Sequence, residues 1–404
     1  MQMQIPTKAG VAAILTCLLA ACNAGPSPGA ARPLPTARSL PSGSLPVAPS
    51  SPATSPEPAP AATIPPGRVP PGFLPLSTTW VSLSKGWVLG TAPCAAGSCL
   101  GLLRTNDAGR TWAAVTAPPA HVTPGFQSGS VRDVRFADSD DGWAFGPDLW
   151  ATHDGGATWR RQVLNGSGLV LVESLEATAG RVHAAVIVFD SVGVRVYESP
   201  VNKDAWVATG VAISAGAGPV PRSWLVATEG AGWMIQVNRT VVGGARLYQG
   251  EWREWKPPCA DAGGPAFLAA ASATSLAAIC NEGVWTNGPP ATRLYLSQDG
   301  GSSFQRVGTD LPVGSTGAIA SPRPGTVITG AFTADGHAIL LETTDSGATW
   351  TRVYDAANRS VTLYVGFTSA SQGVAILTGD SGGTLLMTFD AGRHWSPITL
   401  GTAG

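Results

Sequence analysis

The sequence predicts an all-β chain: a single seven-bladed β-propeller of four-stranded blades, preceded by a lipoprotein signal peptide and a disordered proline-rich tether. Three observations predict it. An aromatic residue returns at a nearly constant interval of 45 to 49 residues from position 112 to position 395. A turn motif built on Asp and Gly leads into most of these aromatics. Charged residues make up only 13% of the chain, while Gly (50) and Trp (14) are abundant, a composition that suits short strands and turns better than helices.

The first 21 residues read as an export signal. Lys8 supplies a positive start, and Val11 to Ala21 is a short apolar run ending in Leu19-Ala20-Ala21-Cys22. About ten residues are too few to span a bilayer as a helix. The tetrad resembles a bacterial lipobox, which implies lipidation of Cys22 and cleavage before it. Two acyl chains on one residue suffice for stable anchoring. Residues 22–72 follow as a linker, and positions 23–72 hold 15 of the 34 prolines. In polyproline II such a tether reaches roughly 150 Å. The folded domain is expected over 73–404.

Four cysteines remain beyond Cys17 and Cys22: Cys94, Cys99, Cys259 and Cys280. Export favours two disulfides. Three pairings are possible, and Cys94–Cys99 with Cys259–Cys280 is favoured because each pair lies close in the repeat map. There is no Cys-x-x-Cys and no histidine at ligand spacing, so no metal is expected. Nothing points to a cofactor. The net charge of −1 gives no reason to expect a nucleic-acid partner.

The repeat shows first in five turns. They run Thr105-Asn-Asp107-Ala-Gly109-Arg-Thr111-Trp112, Thr152-His-Asp154-Gly-Gly156-Ala-Thr158-Trp159, Ser297-Gln-Asp299-Gly-Gly301-Ser-Ser303-Phe304, Thr343-Thr-Asp345-Ser-Gly347-Ala-Thr349-Trp350 and Thr388-Phe-Asp390-Ala-Gly392-Arg-His394-Trp395. Two decayed copies fill the interval between the second and third, ending at Trp206 and Trp255. The aromatics therefore fall at 112, 159, 206, 255, 304, 350 and 395. A second element precedes most turns: Lys85-Gly86-Trp87, Asp141-Gly142-Trp143, Ala231-Gly232-Trp233 and weaker forms at Gly325 and Gly373. A turn glycine followed by apolar residues reads as a strand entered from a tight turn. Each period then holds four short strands, the pattern of a propeller blade.

In each turn the Asp carboxylate can accept backbone N–H bonds, the Gly can take positive φ, and the aromatic can start the last strand. Asp107, Asp154, Asp299, Asp345 and Asp390 are thus expected to build turns and not to catalyse. Identical carboxylates on successive blades are spread around a ring.

These turns resemble BNR/Asp-box repeats, known from sialidases, sortilin-type receptors and photosystem II assembly-factor-like propellers. The resemblance covers 73–404, and in these families the boxes lie opposite the usual ligand face. The sialidase likeness would imply six blades, an arginine triad and a Tyr/Glu nucleophile pair. Seven periods and the missing Phe/Tyr-Arg-Ile-Pro start depart from it. Xyloglucanase-like enzymes use two such domains facing a cleft. The order Gly-Trp then Asp-Gly-Gly-x-Thr-Trp is most similar to the assembly-factor-like group, which implies a non-catalytic propeller that docks on another protein.

The functional expectation is therefore a membrane-anchored, extracytoplasmic, monomeric scaffold binding an unidentified envelope protein or glycan. The alternatives are a glycoside hydrolase and a purely structural envelope protein. Three long loops are expected on the face opposite the boxes: Thr91 to Ser98, Ala117 to Ser130 with His121 and Phe126, and Asn281 to Ala291 with Glu282 and Trp285. Loops on a rigid scaffold carry function, so these four side chains are the binding candidates. His337, beside Asp335, reads as a solvated turn. Sequential closure is expected, with Leu74 to Leu83 opening blade 1 and Trp395 to Leu400 ending blade 7.

Overall fold

The computed structural model describes residues 61–122, 127–164, 170–189, 193–214, 216, 222–282, 291–312, 315–379 and 382–401. Its strands form seven four-stranded antiparallel blades. Blade 1 is β1 (Leu74–Trp80), β2 (Gly86–Cys94), β3 (Gly97–Thr105) and β4 (Ala113–Val115). Blade 2 is β5 (Asp133–Phe136), β6 (Asp141–Phe145), β7 (Leu149–His153) and β8 (Arg160–Arg161). Blade 3 is β9 (Val170–Thr178), β10 (Arg181–Val188), β11 (Gly193–Pro200) and β12 (Val207–Ser214). Blade 4 is β13 (Arg222–Thr228), β14 (Ala231–Asn238), β15 (Thr240–Tyr248) and β16 (Glu251–Trp255). Blade 5 is β17 (Ala266–Ala270), β18 (Leu276–Glu282), β19 (Ala291–Ser297) and β20 (Gln305–Val307). Blade 6 is β21 (Ser315–Arg323), β22 (Thr326–Phe332), β23 (His337–Thr343) and the first half of β24 (Thr351–Phe367). Blade 7 takes the second half of β24, then β25 (Gly373–Gly379), β26 (Gly382–Thr388) and β27 (Ser396–Ile398). Along β24 the pairing passes from His337↔Arg359 in blade 6 to Ser360↔Gly379 in blade 7.

Seven hydrophobic clusters occupy the seven seams, one between each pair of neighbouring blades. Alternate residues of a strand point to opposite neighbours. In β2, Trp87 packs toward Phe136 of blade 2, while Val88 packs with Val374 and Ile376 of blade 7. The middle strands are covered on both faces and read as continuous apolar runs, as in Arg181–Val188, where every residue after the first is buried. The fourth strands lie at the rim, and β8 and β27 are short with mostly exposed residues.

Among the described residues β1 and β27 each pair in a backbone ladder only within their own blade, so no strand is exchanged at closure. The ring is shut by side chains instead. Gln372 donates from Nε2 to the Leu83 carbonyl at 2.9 Å, and the cluster joining blades 1 and 7 includes Leu385 and Met387. Packing also begins upstream of Phe73. Ile64 and Val69 are buried in that same cluster, and Gly67 exchanges backbone bonds with Ala114 of β4.

The Gly-Trp signature has a steric origin. A Cβ on Gly86 would lie 2.5 Å from the Trp80 ring, and one on Gly142 would lie 2.5 Å from the Phe136 ring. In blades 1, 2 and 7 the aromatic that ends the first strand (Trp80, Phe136, Phe367) needs the bare glycine opposite it.

Candidate binding face

Two ends of the ring differ in chemistry. First strands run toward the end that carries the Asp-boxes. The opposite end is made by the hairpins between second and third strands and by the links between blades.

At the Asp-box end the carboxylates are engaged locally. Asp107 accepts from Thr111 N at 2.9 Å, Thr111 Oγ1 at 2.6 Å and Thr105 Oγ1 at 2.8 Å, while Gly109 N donates to Thr105 Oγ1 at 3.0 Å. The same bonds recur at Asp154, Asp299 and Asp345. At Asp390 the His394 ring replaces the last hydroxyl. Ala108 and Gly109 lie at φ 63° and 82°, so the turn uses two consecutive left-handed residues. Bonds from Thr111 hold the Asp107 carboxyl at about 2. In blade 3 the decayed box keeps its first hydroxyl and its closing Trp206: Ser199 Oγ accepts from Ala205 N at 3.0 Å.

At the opposite end, three first strands bring charges together around the channel mouth. Glu173 of β9 is buried and accepts from Arg132 Nη2 at 2.8 Å and from Arg222 Nε at 2.7 Å. Arg132 immediately precedes β5 and Arg222 opens β13, so the triad spans blades 2, 3 and 4. Burial pushes the Glu173 carboxyl up, against the pull of Arg222 and then Arg132. The Arg222 side chain remains 46% exposed, while burial pulls its guanidinium down against the pull of Glu173. Farther along the channel, Arg135 pairs with Glu176 at 2.7 Å. In the first strands of blades 1 and 7, Leu74 of β1 and Val361 and Leu363 of β24 are exposed apolar side chains. A cavity of about 280 Å³ lies between blades 2 and 3, lined by Pro147, Leu149, Val163, Leu164 and Val172 among others. The mouth thus joins an apolar lip to a guanidinium rim.

The four sequence candidates are not brought together there. Trp285 and Phe126 lie outside the described residues. His121 is exposed, and its backbone closes the loop by accepting from Val131 N and donating to Gly129 O. Glu282 ends β18 on blade 5, where Arg293 Nη1 and Tyr295 Oη donate to it, the latter at 3.1 Å. It lines a separate cavity of about 480 Å³ with Lys256, Cys259, Tyr295 and Phe304. The Arg293 bond holds Glu282 low, while burial and Glu282 push the Tyr295 phenol up. His337 begins β23, with Nδ1 3.1 Å from the Ala356 carbonyl oxygen. The expected loop Thr91 to Ser98 is corrected: β2 and β3 continue through it, leaving Ala95-Ala96 as the hairpin tip. Both favoured disulfides are present, with Cα separations of 5.8 Å for Cys94–Cys99 and 5.5 Å for Cys259–Cys280. Among the described residues no group of His, Cys, Asp and Glu could hold a metal, and no helix is long and apolar enough to cross a membrane.

Sequence reasoning missed the triad. A signal existed: Glu173 interrupts the apolar run Val170-Leu-Val-Glu173-Ser-Leu175 on a first strand, and a charge in such a run requires a partner.

No family model matches the chain, and no curated protein matches it. Solved structures do. YCF48 bound to D1 peptide superposes with a TM-score of 0.53 over 82% of this chain and 99% of that one, at 21% identity. The chain is a YCF48-like propeller in fold. YCF48 from Cyanidioschyzon merolae gives 0.51 over 80% and 98%, at 16% identity. A GH74 enzyme from Niastella koreensis gives 0.42 over 81% and 65%, at 12% identity.

Proposed function

We propose that this chain is a tethered extracytoplasmic scaffold whose channel mouth, opposite the Asp-boxes, docks an extended segment of an envelope protein. The signal ends before Cys22, which carries the lipid, and the tether beyond it leads into the monomeric propeller. The observation that supports the reading is the Arg132–Glu173–Arg222 triad at the starts of first strands, the same end of the ring that exposes Leu74, Val361 and Leu363. A guanidinium fork suits a carboxylate and the lip suits an aliphatic side chain. That a YCF48 structure of the same fold holds a peptide favours the same use here. The two disulfides fit an oxidising compartment.

A non-catalytic role is part of the proposal. The box carboxylates are bonded within their turns. The Tyr295–Glu282 pair has its phenol held protonated and its carboxylate held by Arg293, so it offers no activated nucleophile.

The test is photo-crosslinking of the full chain in envelope membranes, with the crosslinker placed at Leu363. The expected result is one discrete protein adduct, lost in Arg222→Ala and in Glu173→Gln and retained in Arg306→Ala on blade 5. Adducts indifferent to Arg222 overturn the docking site. Release of sugar from sialyl or glucan substrates overturns the non-catalytic reading.

A further inference from the structure

Among the described residues, blade 3 is the one blade held on its two sides by histidines in opposite chemical situations. On the blade 2 side, His153 of the second Asp-box stands between two carboxylates. Its Nδ1 lies 2.5 Å from Asp141 Oδ1 of its own blade, and its Nε2 lies 3.3 Å from Asp204 Oδ1 of blade 3. Gln162 holds the other Asp204 oxygen at 2.8 Å. Asp138, in the turn before Asp141, is the further charge acting on that carboxylate. A neutral imidazole has one donor and one acceptor; only the imidazolium can donate to both carboxylates. This inter-blade contact is therefore complete only with the proton on.

On the blade 4 side, the requirement is reversed. His183 of β10 is 1% exposed, and its Nδ1 accepts the indole N–H of Trp252 of β16 at 3.0 Å. That bond requires an unprotonated Nδ1 and places the ring proton on Nε2. The charged groups around it are Arg181 two residues earlier, Glu198 of β11 and Glu176 of β9, both opposite His183 in register. Glu176 is taken by Arg135, and Glu198 Oε1 by Arg181 at 2.6 Å. The second Glu198 oxygen, Oε2, lies 3.5 Å from His183 Nδ1. A proton arriving on Nδ1 would have this oxygen as its acceptor and would face the indole donor without an acceptor.

We propose that acidification acts on the two seams of blade 3 in opposite senses: it completes the His153 clamp to blade 2 and moves His183 from Trp252 of blade 4 to Glu198 of its own blade, loosening the ring at the blade 3–blade 4 seam. Burial, with Arg181 adding to it, holds His183 down at about 4, while His153 is pushed up by Asp141 and Asp204 against its own desolvation. The placement has a counterpart in the sequence. Blades 3 and 4 are those whose Asp-boxes have decayed.

The full chain tests this without substitution, by imidazole nitrogen NMR and hydrogen exchange between pH 7.5 and 4.5. His183 should remain the neutral Nε2–H tautomer at pH 7, while His153 should gain its second ring proton at a higher pH than an ordinary histidine. Corrected protection of the β10 and β16 segments should fall about tenfold per pH unit below about 6.5, while segments 138–162 lose none. Glu198→Gln should shift the loosening to lower pH, and Asp204→Asn should lower the His153 titration. Equal loss of protection at both seams, or His183 titrating at an ordinary histidine value, overturns the proposal.

Discussion

Replacing Asp107 with Asn separates turn-building from chemistry. The carboxylate accepts three bonds, from Thr111 N at 2.9 Å, Thr111 Oγ1 at 2.6 Å and Thr105 Oγ1 at 2.8 Å. Its carboxyl sits at about 2 against an ordinary 3.8. Taken at face value, that displacement is worth about 2.4 kcal/mol; screening at a partly exposed turn reduces it to about 1 kcal/mol. The sign follows from the lowered folded-state value. The contribution is complete above the unfolded value of 3.8 and disappears as pH falls through about 2. Urea denaturation of wild type and Asp107→Asn should therefore differ by about 1 kcal/mol at pH 7 and converge near pH 2, with the His183 contribution cancelling in the difference. Crosslinking at Leu363 should be unchanged. A stability difference independent of pH would refute the bonding argument. Normal stability with lost docking would refute the assignment of the box to turn formation.

Other outcomes follow from the seams and staples. Trp87 is fully buried and stacks on Phe136 at 3.9 Å with rings 2° from parallel, so Trp87→Ala should cost about 4 kcal/mol by calorimetry or denaturant. A Cβ on Gly308 would fall 2.0 Å from the Gly347 carbonyl oxygen, and Gly308 has φ +64°; Gly308→Ala should destabilise the blade 5–blade 6 seam, read as a lower unfolding midpoint. The Cys259–Cys280 bridge closes a separation of 21 residues; Cys259→Ser with Cys280→Ser should lower stability by about 3 kcal/mol.

Much of the fold was legible because the repeat is local chemistry. The Asp, Gly and Trp of each box lie within eight residues, and the decayed copies kept the interval. The cysteine pairs were legible because the repeat map brought them close. Other features were not. Arg132, Glu173 and Arg222 come from three blades and share no motif; their meeting depends on the ring. Ala92-Pro-Cys-Ala-Ala-Gly-Ser98 has loop composition, yet β2 and β3 extend through it, since a strand at a hairpin end tolerates proline. Ile64 and Val69 sit among prolines without periodicity, and only the uncovered side of blade 1 gives them a place to pack.

The long strand β24 has a consequence for how this chain could be rewired. Elsewhere the backbone leaves one blade and enters the next through a connecting segment, which gives a place to open the chain and rejoin it at its old ends. Between blades 6 and 7 the outermost strand of one becomes the innermost strand of the other, and Arg359 and Ser360 are consecutive ladder residues. New termini placed there would leave two half-strands with unpaired ends. Permutants opened at the blade 1–blade 2 connection should assemble, whereas those opened at Arg359 should not, so the last two blades behave as a single heritable unit when such rings gain or lose blades.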